Sequence, residues 1–407
     1  MDPKRLLLGA VDAALNAVHG RVRVRDFLSR QSITGPVWLI AVGKAAGAMS
    51  QGAVDALGDR IAAGLVISKR GFDEHSCPAL PHVTHISAGH PIPDEASLLA
   101  GRRLIETLDR APRDATLLFL VSGGSSSLVE VLPEGIVLAD LQKINQWLLG
   151  AGWDISAMNG MRKRFSCIKG GRLARWVNGR RTYNLLISDV PGDDPALIGS
   201  GLLTSDQRGI SAPTPLPLWI EDLLHSVPDA ATPDDDWSQT IATHIVASPA
   251  LARRAAVGYL RAQGYPAHSH ERLLSGDLRD VAALITRTLL KGPIGVHVWS
   301  GEPTVRLPAV PGRGGRNQSL ALAVAQGIRG ETRRAFVSLG SDGNDGMTED
   351  AGALVDNHTV RDGEWLGLDA QDALRRADAG TYLEAVGALV HTGPTGTNVM
   401  DLMLAIC

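Results

Sequence analysis

Short apolar runs alternate along this chain with longer segments in which apolar side chains recur every three or four residues. The segments 97–108 and 138–149 show the longer spacing, which is typical of amphipathic helices. The apolar runs lie at 37–42, 64–68, 83–86, 117–121 and 183–187. Uninterrupted runs of this kind are typical of strands buried on both faces of a parallel sheet. Strands that alternate with helices predict an α/β fold built on such a sheet.

The pattern changes in the middle of the chain. Prolines are frequent between residues 209 and 238, and the same stretch holds the acidic run 234–236. This composition favours a domain junction, although a loop within one domain is nearly as good an interpretation. Beyond it the pattern predicts a helix over 249–263 and a strand over 295–299.

Length and composition indicate an ordinary globular protein of two domains. The 407 residues exceed one average domain, and we place the two domains at 1–235 and 236–407. Apolar residues make up 44% of the chain and charged residues 20%, which is typical of globular proteins. The net charge of −3 and the shortness of the basic runs argue against a nucleic-acid surface, so no nucleic-acid partner is expected.

Cysteine usage and the N-terminal segment bear on the compartment. Cys77, Cys167 and Cys407 are scattered and odd in number, which disfavours a disulfide framework or a zinc site. They favour a reducing compartment, and we expect a cytoplasmic protein. The segment 6–18 reads as an amphipathic helix rather than a signal peptide. No apolar stretch approaches the roughly 20 residues of a membrane span, so no membrane partner is expected.

Two glycine-rich segments near the C-terminal end carry opposite charges. The first reads Gly-Arg-Gly-Gly-Arg-Asn-Gln, and within it Arg316 and Asn317 are candidate ligands for an oxyanion. The second reads Gly-Ser-Asp-Gly-Asn-Asp-Gly, and its carboxylates, Asp342 and Asp345, are candidate ligands for Mg²⁺. Glycine lets the backbone approach a ligand closely. Together these segments predict a site for phosphate, a metal and a small acid.

Polar turns follow the predicted strands of the N-terminal half. Lys44 comes at a helix start, where the helix dipole disfavours a cation, so it either binds an anion or is a solvated lysine. The next polar turn offers hydroxyl and backbone N–H groups that suit a phosphate cradle or a plain helix cap. Its candidate binding residues are Ser122, Gly123, Gly124, Ser125 and Ser126.

Other candidate residues carry weaker signals. Lys169 lies in a Lys-Gly-Gly turn of a basic segment, where an anion site and a solvated helix face are about equally good interpretations. Asp189 follows the fifth apolar run and could bind Mg²⁺, accept a proton from a hydroxyl or cap a turn. Glu302 could contact a nucleotide ribose or a metal, or close a turn. Thr397 and Asn398 are candidate hydrogen-bond donors to a substrate, in a segment that could equally be a loop.

Several common catalytic motifs are missing from the sequence. It contains no GxxxxGK[ST], no GxGxxG after a strand, no GxSxG and no HExxH. These absences argue against a P-loop nucleotide hydrolase, a classical dinucleotide-binding domain, an α/β-hydrolase and a zinc protease.

Nine segments in chain order give the sequence a family resemblance. The chain resembles the class II glycerate 2-kinases that carry a MOFRL C-terminal domain, some of which bear a hydroxypyruvate reductase label. The resemblance extends over roughly residues 5–405. Its segments are AVGKAAGAM, AGHPIPDEAS, VSGGSSSLVE, RKRFSCIKGGRLA, LISDVPGDDP, GEPTVRL, GRGGRNQSLALA, GSDGNDGMTEDAGALVD and GPTGTNVMDL.

The resemblance implies a fold and an activity. It implies a Rossmann-like N-terminal domain with a mainly parallel sheet, a smaller α/β C-terminal domain and an active site in the cleft between them. It also implies phosphorylation of D-glycerate on its 2-hydroxyl by ATP, with Mg²⁺, giving 2-phosphoglycerate. Lys44 and Arg316 match the family's proposed substrate and phosphate cations.

The residues suggest one mechanism as a hypothesis. Arg316 holds the glycerate carboxylate, Lys44 stabilises the transferring phosphoryl group and Asp189 orients or deprotonates the hydroxyl. The reverse assignment of Lys44 and Arg316 is equally open. Asp189, Asp342 and Asp345 are the candidate Mg²⁺ ligands.

Departures from the family pattern leave alternatives open. Leu202 and Met347 stand where the family usually has proline, which predicts two looser loops. An NAD(P)H-dependent hydroxypyruvate reductase, a kinase for another short 2-hydroxy acid and a non-catalytic binding protein remain alternatives. The missing dinucleotide glycines weigh against the reductase. We expect a monomer or a homodimer.

Overall fold

A computed structural model of the chain describes residues 2–72, 77, 80–150, 153, 155–205, 216–227 and 239–407. The chain divides into two units, of which one is Gly20–Val246 and the other joins Met1–His19 to Ala247–Cys407. The predicted boundary between residues 235 and 236 lies outside the described residues, as does most of the proline-rich stretch 209–238. The units are described below as the N-terminal unit and the C-terminal unit.

The first helix, Pro3–Val18, belongs to the C-terminal unit, which the predicted domain boundaries did not anticipate. Its apolar side chains recur at helical spacing and are buried, as the amphipathic pattern predicts. Gly9 lies so close to Tyr259 that a Cβ there would overlap the phenol ring. Lys4 Nζ also lies 2.7 Å from Asp356 Oδ2. Close packing within that unit therefore fixes the helix.

The N-terminal unit is built on one six-stranded sheet with the strand order β3-β2-β1-β4-β5-β6. The pairings among the first five strands are parallel. This order and pairing confirm the predicted Rossmann-like sheet. The strands are β1 Val37–Val42, β2 Ile61–Lys69, β3 Val83–Ala88, β4 Thr116–Val121, β5 Thr182–Ile187 and β6 Ile241–Ala247.

The strand order reverses between β1 and β4, which lie side by side in register from Val37 and Thr116 to Val42 and Val121. In sheets of this type, the carboxyl ends of the two strands flank a crevice where ligands bind. The turns after β1, β4 and β5 therefore start from neighbouring strands at one edge of the sheet.

Helices cover the sheet of the N-terminal unit. The helix Glu95–Arg110 starts with a capping box in which Asp94 Oδ1 accepts the Ser97 N–H at 3.1 Å and Ser97 Oγ accepts the Asp94 N–H at 3.0 Å. Leu104 and Leu108 lie one turn apart on its buried face, against the core that the sheet supplies. The described helices of this unit are Gly20–Leu28, Ala46–Leu57, Glu95–Arg110, Ser125–Leu128, Leu138–Gly150, Ile155–Arg164 and Leu218–Ser226.

The C-terminal unit contains a seven-stranded mixed sheet with the order β12-β11-β10-β13-β9-β7, and β8 also pairs with β9. The strand β13 runs antiparallel between β10 and β9. The strands are β7 Ala267–Ser269, β8 Leu274–Asp277, β9 Val296–Thr304, β10 Ala335–Gly340, β11 Gly352–Asp356, β12 Leu389–Val390 and β13 Asp401–Ile406. The predicted strand over 295–299 is longer in the structure, so Glu302 lies within β9 rather than in a turn after it.

Helices pack on the mixed sheet and complete the core of this unit. The helix Arg316–Gly327 is mostly buried and lies over β10 and β11. The helices other than Pro3–Val18 are Pro249–Ala262, Leu278–Lys291, Arg316–Gly327, Thr359–Trp365, Ala370–Arg375 and Ala379–Ala385. None of the described helices is both long enough and apolar enough to cross a membrane.

Candidate active site

The turns after β1 and β4 are hydrogen-bonded to each other in the N-terminal unit. The N–H of Lys44 donates to the Gly123 carbonyl oxygen at 2.9 Å, and the N–H of Ala45 donates to Ser122 Oγ at 3.0 Å. Gly43 has a φ of 130°, and a Cβ at this position would overlap Ser122 Oγ. Only glycine permits this approach at such a φ. The backbone of Lys44 is thereby fixed against the start of the second turn.

The second turn, residues 122–127, is called the serine turn. Ser126 Oγ lies 2.7 Å from Ser200 Oγ, and Ser127 Oγ donates to the Gly124 carbonyl oxygen at 3.1 Å. The buried Ser125 Oγ has no hydrogen-bond partner among the described residues. A buried hydroxyl without a partner is unfavourable in the free protein, so this hydroxyl is suited to contact a ligand oxygen.

Lys44 and Asp189 lie at the same edge of the sheet as the serine turn. The half-buried side chain of Lys44 passes close to Gly124, where a Cβ would lie 3.2 Å from Lys44 Cγ. The same Cβ would lie 3.1 Å from Cδ2 of His90, a residue that we had not predicted as part of the site. Asp189 is half-buried and follows β5, which pairs with β4. The predicted cation, hydroxyls and carboxylate thus start from adjacent strands.

Lys169 does not fit its predicted role as an anion ligand. Its side chain is 1% exposed, and Nζ forms an ion pair with Glu130, which is equally buried. Ser166 Oγ donates to the other carboxylate oxygen of Glu130 at 2.6 Å. Burial lowers the pKa of the Lys169 ammonium, and the charge of Glu130 opposes this shift. The geometry therefore supports a structural role for Lys169.

In the C-terminal unit, Arg316 forms two ion pairs. Its Nε and Nη2 donate to the two carboxylate oxygens of Asp401 at 2.6 and 3.0 Å, and its Nη1 donates to Glu302 Oε1 at 2.6 Å. Burial by itself would lower the pKa of the Arg316 guanidinium, but the charges of Asp401 and Glu302 raise it above its usual value. The guanidinium therefore stays charged and is held in one orientation by a bidentate contact.

Asp345 positions Arg316 and is poorly placed to bind a metal. Its carboxylate accepts the N–H groups of Asn317 at 3.0 Å and of Gln318 at 2.8 Å, at the start of the helix that Arg316 opens. Gly315 is required there, because a Cβ would overlap the Asp345 carboxylate. Burial raises the pKa of Asp345 to about 7, although the two backbone N–H groups oppose the shift. Its oxygens accept the N–H groups at the helix start, which favours a structural role over the predicted role as a metal ligand.

The remaining predicted residues of this unit are also buried. Asn317 bridges two neighbours, because its Oδ1 accepts from Ser338 Oγ at 2.6 Å and its Nδ2 donates to Asp345 at 3.3 Å. Thr397 is 1% exposed, and its Oγ1 has no hydrogen-bond partner among the described residues. Asn398 is buried beside it in the sequence. Thr397 therefore keeps a donor for a ligand, whereas Asn317 has a structural role.

The described residues form no ready-made metal centre. Within the described ranges, no group of three or more His, Cys, Asp or Glu side chains is close enough to hold a metal ion. Asp342 is 7% exposed, and its Oδ1 accepts the Asn344 N–H at 3.1 Å. Mg²⁺ bound with a nucleotide usually takes most of its ligands from phosphate and water, so one carboxylate from the protein suffices. Asp189 and Asp342 fit that lesser role.

Asp401 is the main functional candidate that sequence reasoning missed. It is buried at the first position of β13, opposite Gly340 on one side and Gly301 on the other. Its signal in the sequence was an aspartate directly before the apolar run Leu-Met-Leu-Ala-Ile. A charged residue at the end of a buried strand needs a partner, and Arg316 is that partner.

Leu202 and Met347 stand where the family pattern suggested two looser loops. Leu202 is 3% exposed and packs in the core of the N-terminal unit, so its side chain anchors that loop. Met347 is 98% exposed and follows Gly346, which has a φ of 65°. The two positions thus differ in kind, since the side chain of Leu202 lies in the core and that of Met347 lies on the surface.

Comparison with known proteins links both units to one group. A domain of unknown function, DUF4147, matches residues 6–214, and the MOFRL family matches residues 295–401. A D-glycerate 2-kinase of Thermotoga maritima is 33% identical, with 99% of this chain and 98% of that protein aligned. A protein of Agrobacterium vitis, provisionally named a hydroxypyruvate reductase, is 34% identical over 89% of this chain and 97% of its own length.

A solved structure shares the fold. The crystal structure of a glycerate kinase from Thermotoga maritima matches with a TM-score of 0.83 and 31% sequence identity. The match covers 99% of each chain. The similarity therefore extends through both units rather than through one sheet alone.

Proposed function

The chain belongs to the glycerate kinase family, and we propose that it transfers the γ-phosphoryl group of ATP to the 2-hydroxyl of D-glycerate. The products are 2-phosphoglycerate and ADP. The observation that carries the proposal is a charged guanidinium, Arg316, oriented by a buried carboxylate for an anionic substrate. The similarity of the whole chain to a protein named D-glycerate 2-kinase supports the choice of substrate.

The serine turn and Lys44 serve the phosphate side of the reaction. The transferring phosphoryl group carries its charge on three equatorial oxygens, so catalysis consists mainly of positioning and charge stabilisation. Ser125 Oγ, which lacks a partner among the described residues, donates to a phosphate oxygen. The Lys44 ammonium neutralises charge on the phosphoryl group, which is consistent with the passage of the Lys44 side chain close to Gly124 of the same turn.

Arg316 serves the acceptor side. Its outer edge, formed by Nη1 and Nη2, binds the glycerate carboxylate while Asp401 holds Nε and Nη2 from the buried side. A carboxylate fixed in this way determines which hydroxyl of glycerate is presented to the phosphoryl group. Regioselectivity for the 2-hydroxyl, which is adjacent to the carboxylate carbon, follows from that anchoring.

Asp189 acts on the attacking hydroxyl. The 2-hydroxyl oxygen forms the new bond to phosphorus, the bond from phosphorus to the ADP oxygen breaks, and the hydroxyl proton passes to the Asp189 carboxylate. Mg²⁺ is part of the proposal, and when bound it would neutralise charge on the ATP phosphates. Asp189 or Asp342 would supply its carboxylate from the protein, since Asp345 is occupied by the helix start.

The test of the proposal is a product assay over a panel of acids. Purified protein is incubated with ATP, Mg²⁺ and D-glycerate, L-glycerate, glycolate, D-lactate or tartrate, and ADP is quantified by chromatography. Chromatography is preferable to an NADH-coupled readout, because NADH oxidation with hydroxypyruvate is measured in a parallel arm. We expect ADP formation to be fastest with D-glycerate. NADH oxidation without ADP formation would overturn the proposal in favour of a reductase.

A further inference from the structure

The contacts of Arg316 use all three of its nitrogens. The Asp401 carboxylate accepts hydrogen bonds from Nε and Nη2, and the Glu302 carboxylate accepts one from Nη1. A guanidinium binds an incoming carboxylate or phosphate best through two parallel N–H groups. The edge formed by Nη1 and Nη2 is the one left for such a ligand once Asp401 is bound, and Glu302 already occupies half of it.

The carboxylates of Asp401 and Glu302 differ sharply in their exposure to solvent. The Asp401 side chain is 1% exposed, whereas that of Glu302 is 54% exposed. A buried ion pair is hard to break, because the freed charge would remain in a medium of low dielectric. An exposed pair stabilises the protein weakly, because water replaces the lost partner. Asp401 is therefore the fixed partner of Arg316 and Glu302 the exchangeable one.

We propose that Glu302 is an internal competitor for the anion position of Arg316, which an anionic substrate must displace in order to bind. The inference rests on the proposed function and deepens it, because it assigns Glu302 a part in substrate selection. A carboxylate or phosphate ligand replaces the negative charge of Glu302 beside Arg316, whereas a neutral polyol cannot replace it. The contact thus excludes neutral analogues of glycerate from the position.

The proposed role of Glu302 and the ligand-binding roles first considered for it predict opposite effects on ligand affinity when Glu302 is neutralised. A residue that binds a ribose or a metal lowers ligand affinity when it is neutralised. A competitor raises affinity when it is neutralised, because the ligand no longer has to break an ion pair. The loss of an exposed pair of this kind should tighten anion binding about two- to fivefold. Removal of the fixed partner Asp401 should weaken binding by about tenfold or more, because Arg316 loses its orientation.

The experiment measures binding without turnover, using the full chain and isothermal titration calorimetry. Titrants are D-glycerate, inorganic phosphate and glycerol, and the variants are Glu302→Gln, Asp401→Asn and Glu331→Gln. Glu331 is a matched control for charge, since it is exposed and lies beyond the far end of the helix that starts at Arg316. Circular dichroism checks that each variant is folded.

The expected result is tighter binding of D-glycerate and phosphate to Glu302→Gln, with no gain in Glu331→Gln and no binding of glycerol to the wild type. Steady-state kinetics of Glu302→Gln should show a lower KM for D-glycerate at a similar kcat. Equal or weaker anion binding by Glu302→Gln overturns the inference, and so does an equal gain in Glu331→Gln. Should Asp401→Asn fail to fold, the comparison of anion binding by Glu302→Gln and Glu331→Gln still tests the inference.

The same experiment separates this inference from the proposed function. If the wild type neither binds nor phosphorylates D-glycerate, the proposed substrate is wrong, and the phosphate titrations still test the competition at Arg316. If D-glycerate is phosphorylated but Glu302→Gln binds it no better, the function stands and the inference fails. A chain that binds neither D-glycerate nor phosphate overturns the inference as well.

Discussion

Replacement of Arg316 by alanine should lower both stability and activity, for reasons that a second substitution can separate. The variant leaves the Asp401 carboxylate buried without its ion-pair partner. Breaking a buried pair from one side typically costs about 3–5 kcal/mol of unfolding free energy. Protonation of the carboxyl limits the loss, since protonating an aspartate of ordinary pKa, about 3.9, at pH 7 costs about 4 kcal/mol. We therefore expect a loss of about 3–4 kcal/mol at pH 7.

The double variant Arg316→Ala with Asp401→Asn removes the stranded charge and should regain most of that stability. Activity should not return with it, because the guanidinium itself binds the substrate. We expect kcat/KM for D-glycerate to stay at least about 10²-fold below wild type in both variants. Arg316→Lys should keep more stability than the alanine variant, but it lacks the planar fork that binds two oxygens and should remain impaired.

The assays are denaturant unfolding at pH 7 and ADP formation with D-glycerate. Arg313→Ala is the matched control, because Arg313 lies in the same glycine-rich segment and pairs with Asp350 and Glu384 instead. It should change kcat/KM by less than about threefold, in line with a role confined to ion pairing. Wild-type activity in the double variant would refute the reasoning, since Arg316 would then act only on stability. Wild-type stability of Arg316→Ala would refute the account of the ion pair.

Three further predictions concern the parts that position the site. Gly43→Ala should abolish most of the ADP formation, because the added Cβ overlaps the serine turn. Gly71 also has a positive φ but has open space around it, so Gly71→Ala should leave ADP formation nearly unchanged. The raised pKa of Asp345, about 7, favours its protonated form in the folded protein, so its stabilising contribution is present below about pH 4 and is lost as the pH rises to 7. Unfolding free energies of wild type and Asp345→Asn should therefore shift relative to each other across that window, and parallel pH profiles would contradict it. Lys169→Ala should cost about 3–5 kcal/mol, and adding Glu130→Gln should recover part of it, with KM for D-glycerate unchanged in the folded protein.

The central strands β1, β4 and β5 of the N-terminal unit could be predicted from the sequence because they are buried on both faces, whereas the partly exposed β6 was not predicted. The predicted run 37–42 matches β1, and the run 117–121 misses only the first residue of β4. Turn glycines and serines then marked the carboxyl ends of the strands. The N-terminal helix was harder to assign, because its pattern shows that one face is buried but not which core buries it.

The charged residues of the candidate site could be identified from the sequence, whereas the groups that they contact could not. Arg316 and Lys44 stood out because cations in glycine-rich turns are unusual for a structural role. The contacts of Asp345 and Lys169 favour structural roles over the predicted ligand roles, and these contacts could not be predicted before their partners were known. Those partners, the helix N–H groups and Glu130, come from distant parts of the chain. Asp401 was missed for the same reason, being 85 residues from Arg316.

The most direct test of the account is the identity of the phosphorylated product. Protein, ATP, Mg²⁺ and D-glycerate are incubated, and the product is analysed by two-dimensional NMR that correlates phosphorus with protons. We predict that the phosphorus signal couples to the single proton on C2, as anchoring of the carboxylate by Arg316 requires. Coupling to the two protons on C3, or the absence of any phosphorylated glycerate, would contradict the account.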